Sequence, residues 1–189
     1  MNISLRKAVI IVAFLNLAYF GIEFRVATAI KSVSLFADSI DFLEDTSLNL
    51  LIAIALTWSV RKRARLGMVL AGILVVPSMA ALWMAWQKFI SPTPPEPCSL
   101  SLTGLGALII NSICAFILVR FRTHSGSLTK AAFLSARNDA LANIAIIVAG
   151  FITVHTHSGW PDLIVGLGIM AINAGAAREV WRTAIKEHS

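Results

Sequence analysis

The chain has 189 residues, of which 57% are hydrophobic and only 14% are charged, and its mean hydropathy is +0.78. These values exclude an ordinary soluble domain and predict a protein that crosses a membrane several times. The formal net charge is +6, but most basic residues fall at alternate ends of the apolar segments, which indicates a positive-inside topology. We therefore expect a multi-pass integral membrane protein in a lipid bilayer, with both termini in the cytoplasm and no nucleic-acid partner.

The apolar segments predict an all-α fold, a polytopic bundle of six transmembrane helices, because several reach the roughly 20 residues that span about 30 Å of hydrocarbon. The predicted helices cover residues 6–30, 35–60, 66–90, 102–120, 131–154 and 161–181. We expect them to form a single transmembrane domain over residues 1–189, with no C-terminal cytoplasmic domain.

The first helix carries a short polar face. Asn16, Tyr19 and Glu23 are spaced so that they share roughly one side of a helix and could point inward. Glu23 and Arg25 lie near the predicted outer end, where the favoured interpretation is that both side chains simply reach water.

The second helix carries an acidic stripe. Asp38, Asp41, Asp45 and Asn49 follow one another at steps of three, four and four residues, which places them on one helical face. Acids within a membrane are costly and usually face the bundle interior, where they serve a substrate or proton path. The alternative for Asp38 and Asp41 is that they are N-terminal caps, but this alternative does not account for the deeper Asp45.

The segments between the second and fifth helices show structural signals. The basic run Arg61–Arg65 is interpreted as a loop that sets topology, with anionic lipid headgroups as an alternative ligand. The proline-rich segment Ser91–Ser99 is expected to be a stiff connector, because proline cannot continue a helix. Asn111 in the fourth helix is interpreted as an interhelical hydrogen-bonding group.

The fifth helix carries the second polar face. Ser135, Asn138, Asp139 and Asn143 share one side of this helix. Arg137 points roughly the opposite way and can extend toward the interface. The alternative interpretation is that Asp139 merely pairs with Arg137 or caps the polar network.

Together the two faces predict an oxygen-dominated site for a divalent cation. Six side chains are predicted to contribute: Asp41, Asp45, Asp139, Ser135, Asn138 and Asn143. Three carboxylates carry more charge than a dication neutralises, so the empty site should bind protons. Competition between protons and metal for the same acids is the physical basis of an antiporter.

The predicted depths of the acids differ. At about 1.5 Å per residue, Asp45 lies about 24 Å from Arg61 and Asp139 about 14 Å from Lys130. If the acids are to meet, the fifth helix must begin below the membrane surface, or the second must project beyond it.

Two segments, SLFADSIDFLED and FLSARNDALANIAIIVAG, resemble the second-helix and fifth-helix patterns of the cation diffusion facilitator family. In the first pattern a His or Asp is followed four residues later by Asp, and Asp41 and Asp45 occupy those positions. In the second, usually His followed by Asp, the positions are Ser135 and Asp139. The resemblance covers nearly the whole chain and implies a six-helix fold, proton-coupled export of a divalent transition metal, and a homodimer.

The chain departs from this family in two ways. Ser135 replaces the usual histidine, so the preference of zinc for nitrogen or sulfur ligands is unmet and manganese, iron or cobalt becomes relatively more plausible. We also expect the chain to lack the soluble cytoplasmic domain that many members carry.

We therefore predict a proton-coupled efflux transporter of a divalent cation, one of zinc, manganese, iron or cobalt, with no resident cofactor. An enzyme is not expected, since no nucleophile and base share one plausible site. One alternative is a non-transporting scaffold or partner subunit of the same fold. Another is a proton-coupled carrier of small organic cations, which should show an aromatic-lined cavity.

Overall fold

The computed structural model describes residues 4–55, 60–121 and 127–173, which form six α-helices and no strand. The helices are α1 (Leu5–Ile30), α2 (Val33–Ala55), α3 (Val60–Ile90), α4 (Pro97–Leu118), α5 (Ser127–Thr156) and α6 (Trp160–Asn173). A short 3-10 turn, Val119–Phe121, extends α4. The all-α prediction is confirmed, and the predicted end of the sixth helix at residue 181 lies outside the described residues.

Three of the described helices are long and apolar enough to cross a membrane: Leu5–Ile30, Pro97–Phe121 and Ser135–Thr156. The helix α6 is apolar but shorter over its described part. Large apolar side chains such as Phe14, Phe116 and Phe151 are exposed on the outside of these helices. Lipid tails solvate such side chains as well as a protein core does, so the exterior suits a bilayer.

The helix α2 lies at the centre of the bundle. It packs against α1, α3 and α5, while α4 packs against α1 and α5. Every residue from Ser32 to Phe42 is buried, so the first half of α2 is enclosed on all sides. Any polar group on this half of the helix is therefore held away from lipid and from bulk water.

The start of α2 is held by a buried group that we call the Asp162 cluster: Ser32, Val33, Ser34, Lys88 and Asp162. The Asp162 carboxylate, from α6, accepts hydrogen bonds from the backbone N–H groups of Val33 (2.9 Å) and Ser34 (3.1 Å). It also accepts from the hydroxyls of Ser32 and Ser34, both at 2.6 Å. Lys88 Nζ, from α3, lies 2.7 Å from Asp162 Oδ2. The first N–H groups of a helix lack partners within it, and Asp162 supplies one from another helix.

The helix α4 begins five residues earlier than predicted, within the segment expected to be a connector. Glu96 is its N-cap, and its carboxylate accepts from the backbone N–H groups of Cys98 (2.9 Å) and Ser99 (2.6 Å). Pro97 occupies the first turn, where proline is favourable because its missing N–H needs no partner. Hydrogen bonds from the Ser99 side chain and from both backbone N–H groups lower the pKa of Glu96.

The other helix starts also precede the predictions. The helix α2 begins at Val33 instead of residue 35, α3 at Val60 instead of residue 66, and α5 at Ser127 instead of residue 131. The basic run Arg61–Arg65, expected in a loop, forms part of the first turns of α3. Charged residues at the ends of a membrane helix can remain helical while they reach the interface, so charge alone did not mark the boundary.

Candidate cation site

The acidic stripe of α2 is buried along its whole length. The exposed fractions of Asp38, Asp41, Asp45 and Asn49 are 0%, 6%, 3% and 0%. Asp38 and Asp41 are the sixth and ninth residues of α2, so the alternative interpretation of them as N-terminal caps is wrong. Capping residues precede the first turn of a helix. At the start of α2, the residues of the Asp162 cluster occupy that position.

Asp45 connects α2 to two other helices. The Ser135 hydroxyl, from α5, donates to Asp45 Oδ1 at 2.9 Å, and Asn16 Nδ2, from α1, donates to Asp45 Oδ2 at 3.4 Å. Cys114 Sγ, from α4, donates to Asn16 Oδ1 at 3.4 Å. Asn49 Nδ2 donates to the backbone carbonyl of Asp45 at 2.8 Å. Four helices therefore meet around one carboxylate.

The hydrogen bond between Ser135 and Asp45 also places the two polar faces at one level of the bundle. Ser135 lies eight residues after the start of α5 at Ser127, about 12 Å along the helix. Asp139 lies twelve residues after that start, about 18 Å along the helix, compared with roughly 14 Å predicted from Lys130. The earlier start of α5 therefore reduces the predicted mismatch in depth.

Asp139 lies one turn further along α5 than Ser135. Its carboxyl group is close enough to Asp41 and Asp45 for their charges to interact. The nearby base, Arg137, is exposed and donates to Asn138 Oδ1 at 3.4 Å. The described ion pairs do not include Arg137 with Asp139, which removes the simplest alternative explanation of this acid.

The two asparagines of the predicted site differ. Asn143 is fully buried; its Nδ2 donates to the backbone carbonyl of Asp139, and its Oδ1 has no partner. Asn138 was expected beside it, but its side chain is exposed and is joined to Arg137. At about 100° per residue, Asn138 lies some 60° from Ser135 on the side away from Asp139. We correct the prediction for Asn138 accordingly: its side chain is exposed and does not lie with the buried acids.

Asn173 is a site neighbour that the sequence analysis missed. Its Nδ2 donates to Asp41 Oδ1, so α6 also contacts the acidic stripe. An amide within the otherwise apolar run GLGIMAINAG was the available signal. A cavity of about 230 Å³ between α2, α3 and α6 is bordered by Asn173, and none of its described lining residues is aromatic. An organic-cation carrier was expected to show aromatic groups there.

Glu23 contradicts the expectation that it reaches water. It is fully buried, and neither of its carboxylate oxygens has a hydrogen-bond partner. The helix α1 continues to Ile30, so Glu23 lies seven residues, about 10 Å, before the end of the helix. The rest of this face does point inward, as Asn16 does toward Asp45, and the Tyr19 hydroxyl donates to the Thr103 carbonyl at 2.6 Å.

The described side chains do not form a ready-made metal centre. Within residues 4–55, 60–121 and 127–173, no three His, Cys, Asp or Glu side chains are grouped so that they could hold a metal ion. The region around Asp45 instead offers separate carboxylates, a hydroxyl and amide oxygens, which are ligands for cations that bind oxygen.

Comparison with known families gives the class of the protein. Residues 9–187 match the model of the cation efflux transmembrane domain. The chain therefore belongs to the cation efflux family, and it is an integral membrane cation transporter of the cation diffusion facilitator type. No curated protein matches the chain.

Proposed function

We propose that the chain exports a divalent transition-metal cation in exchange for protons, and that the cation binds between α2 and α5. The proposed ligands are Asp41, Asp45 and Asp139, with Ser135 and Asn143 as additional oxygen donors. The observation that carries this proposal is the 2.9 Å hydrogen bond from Ser135 to Asp45, because it joins the two polar helix faces.

The charge balance supports exchange with protons. Buried carboxylates are costly in a bilayer unless a cation or proton neutralises them. Among the described residues, Lys88 is the one buried base, and it is paired with Asp162. The three acids therefore depend on cations from solution. A dication neutralises two of the three charges, and protons can replace it when it leaves.

The ligand set bears on the choice of metal. Ser135 supplies an oxygen where the family pattern usually has a histidine nitrogen, so the proposed ligands are all oxygen atoms. Zinc prefers nitrogen and sulfur ligands, whereas manganese accepts carboxylates and carbonyls readily. We therefore propose manganese, iron or cobalt ahead of zinc as the cargo.

Binding would require some side-chain rearrangement. The described acids are not preassembled into a group of three, and Asp45 Oδ1 is occupied by the Ser135 hydroxyl. A cation between the helices would compete for that oxygen and draw Asp139 toward Asp45. Such closure costs little if it changes rotamers only, since both side chains already lie on facing helices.

The competing functions have less support. A scaffold that had lost transport would be expected to lose acids, yet Asp41, Asp45 and Asp139 all remain. The cavity without aromatic lining gives no support to an organic-cation carrier. The family resemblance also leads us to propose a homodimer, and the basic residues at alternate segment ends lead us to propose cytoplasmic termini.

The proposal can be tested with purified protein in liposomes that contain a pH-sensitive dye. Asp45→Asn and Asp139→Asn should each reduce manganese-dependent proton flux to the level of protein-free vesicles. Glu96→Gln is the matched control, because it removes an exposed acid at the start of α4, outside the bundle interior, and should retain the flux. Unchanged flux in both test variants would contradict the proposed site.

A further inference from the structure

A second pair of acids lies on α1 and α2 nearer the turn that joins them, one helical turn from the proposed ligand Asp41. Glu23 of α1 and Asp38 of α2 are both fully buried. Their carboxyl groups are close enough to interact with each other, yet none of their four oxygens has a hydrogen-bond partner of normal geometry. We refer to these two residues as the Glu23–Asp38 pair.

The surrounding residues do not supply a neutralising base. On α1 and the turn that follows it, Arg25 and Lys31 are exposed. Lys88, the one buried base in the described part of the chain, is bound to Asp162. Two unpaired carboxyl groups inside an apolar bundle are costly. A cation or protons from solution must therefore neutralise the pair.

The pair lies at its own level of the bundle. It is seven residues from Asn16 along α1 and seven from Asp45 along α2, about 10 Å nearer the α1–α2 turn. Between the two levels, the rings of Tyr19 and Phe42 are in contact, with centroids 5.1 Å apart. The Tyr19 hydroxyl is already bonded to the Thr103 carbonyl. These rings lie between the pair and Asp45. Asp41, three residues after Asp38 on the same face of α2, is close enough to both acids of the pair for their charges to interact.

We propose that the Glu23–Asp38 pair is a second binding site for a divalent cation. Two carboxylates match the charge of a dication, and their four free oxygens are ligands that hard and borderline cations accept. The transported ion would occupy this site after the central one, on its way toward the α1–α2 turn. A path with several weak sites lets an ion enter and still leave. Only this order of occupancy rests on the proposed function; binding at the pair does not.

The test is the number of Mn²⁺ ions bound per chain, measured by equilibrium dialysis of the full-length protein in detergent. The wild-type protein should bind two ions. The double variant Glu23→Gln with Asp38→Asn should bind one, and so should Asp45→Asn with Asp139→Asn. Glu96→Gln should still bind two, because Glu96 is exposed at the start of α4 and belongs to neither site.

The outcomes separate this proposal from the proposed function. If Glu23→Gln with Asp38→Asn binds as many ions as the wild type, the pair holds protons only and the proposal is overturned. If that variant alone loses an ion while Asp45→Asn with Asp139→Asn loses none, the second site stands and the central site fails.

A charge-conserving variant covers the case in which the double variant does not fold. Glu23→Asp keeps the charge and withdraws the carboxylate by one methylene group. We expect it to weaken binding of one ion at least tenfold while the other ion is unaffected. Equal affinities for both ions in Glu23→Asp and wild-type protein would overturn the proposal.

Discussion

Two buried carboxylate environments in this molecule differ in how completely they are hydrogen-bonded. Asp162 accepts from two backbone N–H groups, two hydroxyls and the Lys88 ammonium. Glu23 and Asp38 are equally buried and have no such partners. Buried polar groups with a structural role are almost always satisfied. The contrast therefore distinguishes an acid that holds helices together from acids that are open to a ligand.

Asp45 lies between these extremes. It accepts one side-chain hydrogen bond from α5 and a long one from α1, and it has no basic partner among the described residues. Such partial satisfaction can orient a carboxylate and still leave it free to exchange its donors for a cation. The fully satisfied Asp162 has no comparable freedom.

The largest expected effect on stability comes from breaking the Asp162 cluster. Asp162→Ala should lower the free energy of unfolding by about 3–5 kcal/mol, because it leaves Lys88 buried without its partner. Thermal unfolding of the purified protein in detergent, followed by circular dichroism, would measure the loss.

The matched control is Glu23→Gln, which replaces a buried carboxyl group that has no hydrogen-bond partner of normal geometry. Its stability without metal should equal or exceed that of the wild type, since the amide is less costly to bury. A loss in Glu23→Gln as large as that in Asp162→Ala would show that the two environments do not differ as described.

A smaller effect concerns which cation is selected at Asp45, the partly hydrogen-bonded acid. Ser135→His would place a nitrogen ligand beside Asp45 and should raise zinc transport relative to manganese by roughly tenfold, about 1.4 kcal/mol of selectivity. Transport of both ions into liposomes with metal-sensitive dyes would measure the ratio. An unchanged ratio would mean that residue 135 does not contact the ion.

The smallest effect is at the exposed carboxylate of Glu96, the N-cap of α4. Its pKa is lowered by its hydrogen bonds to Ser99 and Cys98, so its stabilising contribution is present above the ordinary value of 4.5 and is lost as the pH falls. Glu96→Gln should therefore cost less than about 1 kcal/mol at neutral pH. The difference from wild type should shrink below pH 4.5; a constant difference between pH 7 and pH 3.5 in thermal unfolding would contradict this assignment.

Much of the α2 and α5 arrangement could be predicted from helical periodicity. The steps from Asp38 to Asn49 define one face whatever the helix packs against, and the burial of Asp45 follows from the cost of exposing it to lipid. The family pattern predicted which residues of α5 would face Asp45, and Ser135 does lie there.

Other features depend on tertiary contacts that periodicity does not contain. The role of Asp162 requires α6 to meet the start of α2, and the burial of Glu23 requires α1 to extend past it beside α2. The start of α4 was misplaced because prolines were interpreted only as helix breakers, although Pro97 is favourable in a first turn. Asn138 was grouped with its neighbours because a helical face has no sharp edge in sequence.

The position of a bound Mn²⁺ ion, measured by anomalous X-ray scattering from crystals of the full-length protein, tests the central claim most directly. We predict a peak between α2 and α5 that contacts the carboxylates of both Asp45 and Asp139. A peak that contacts only one of these helices, or no peak among the acids at a saturating Mn²⁺ concentration, would contradict the account.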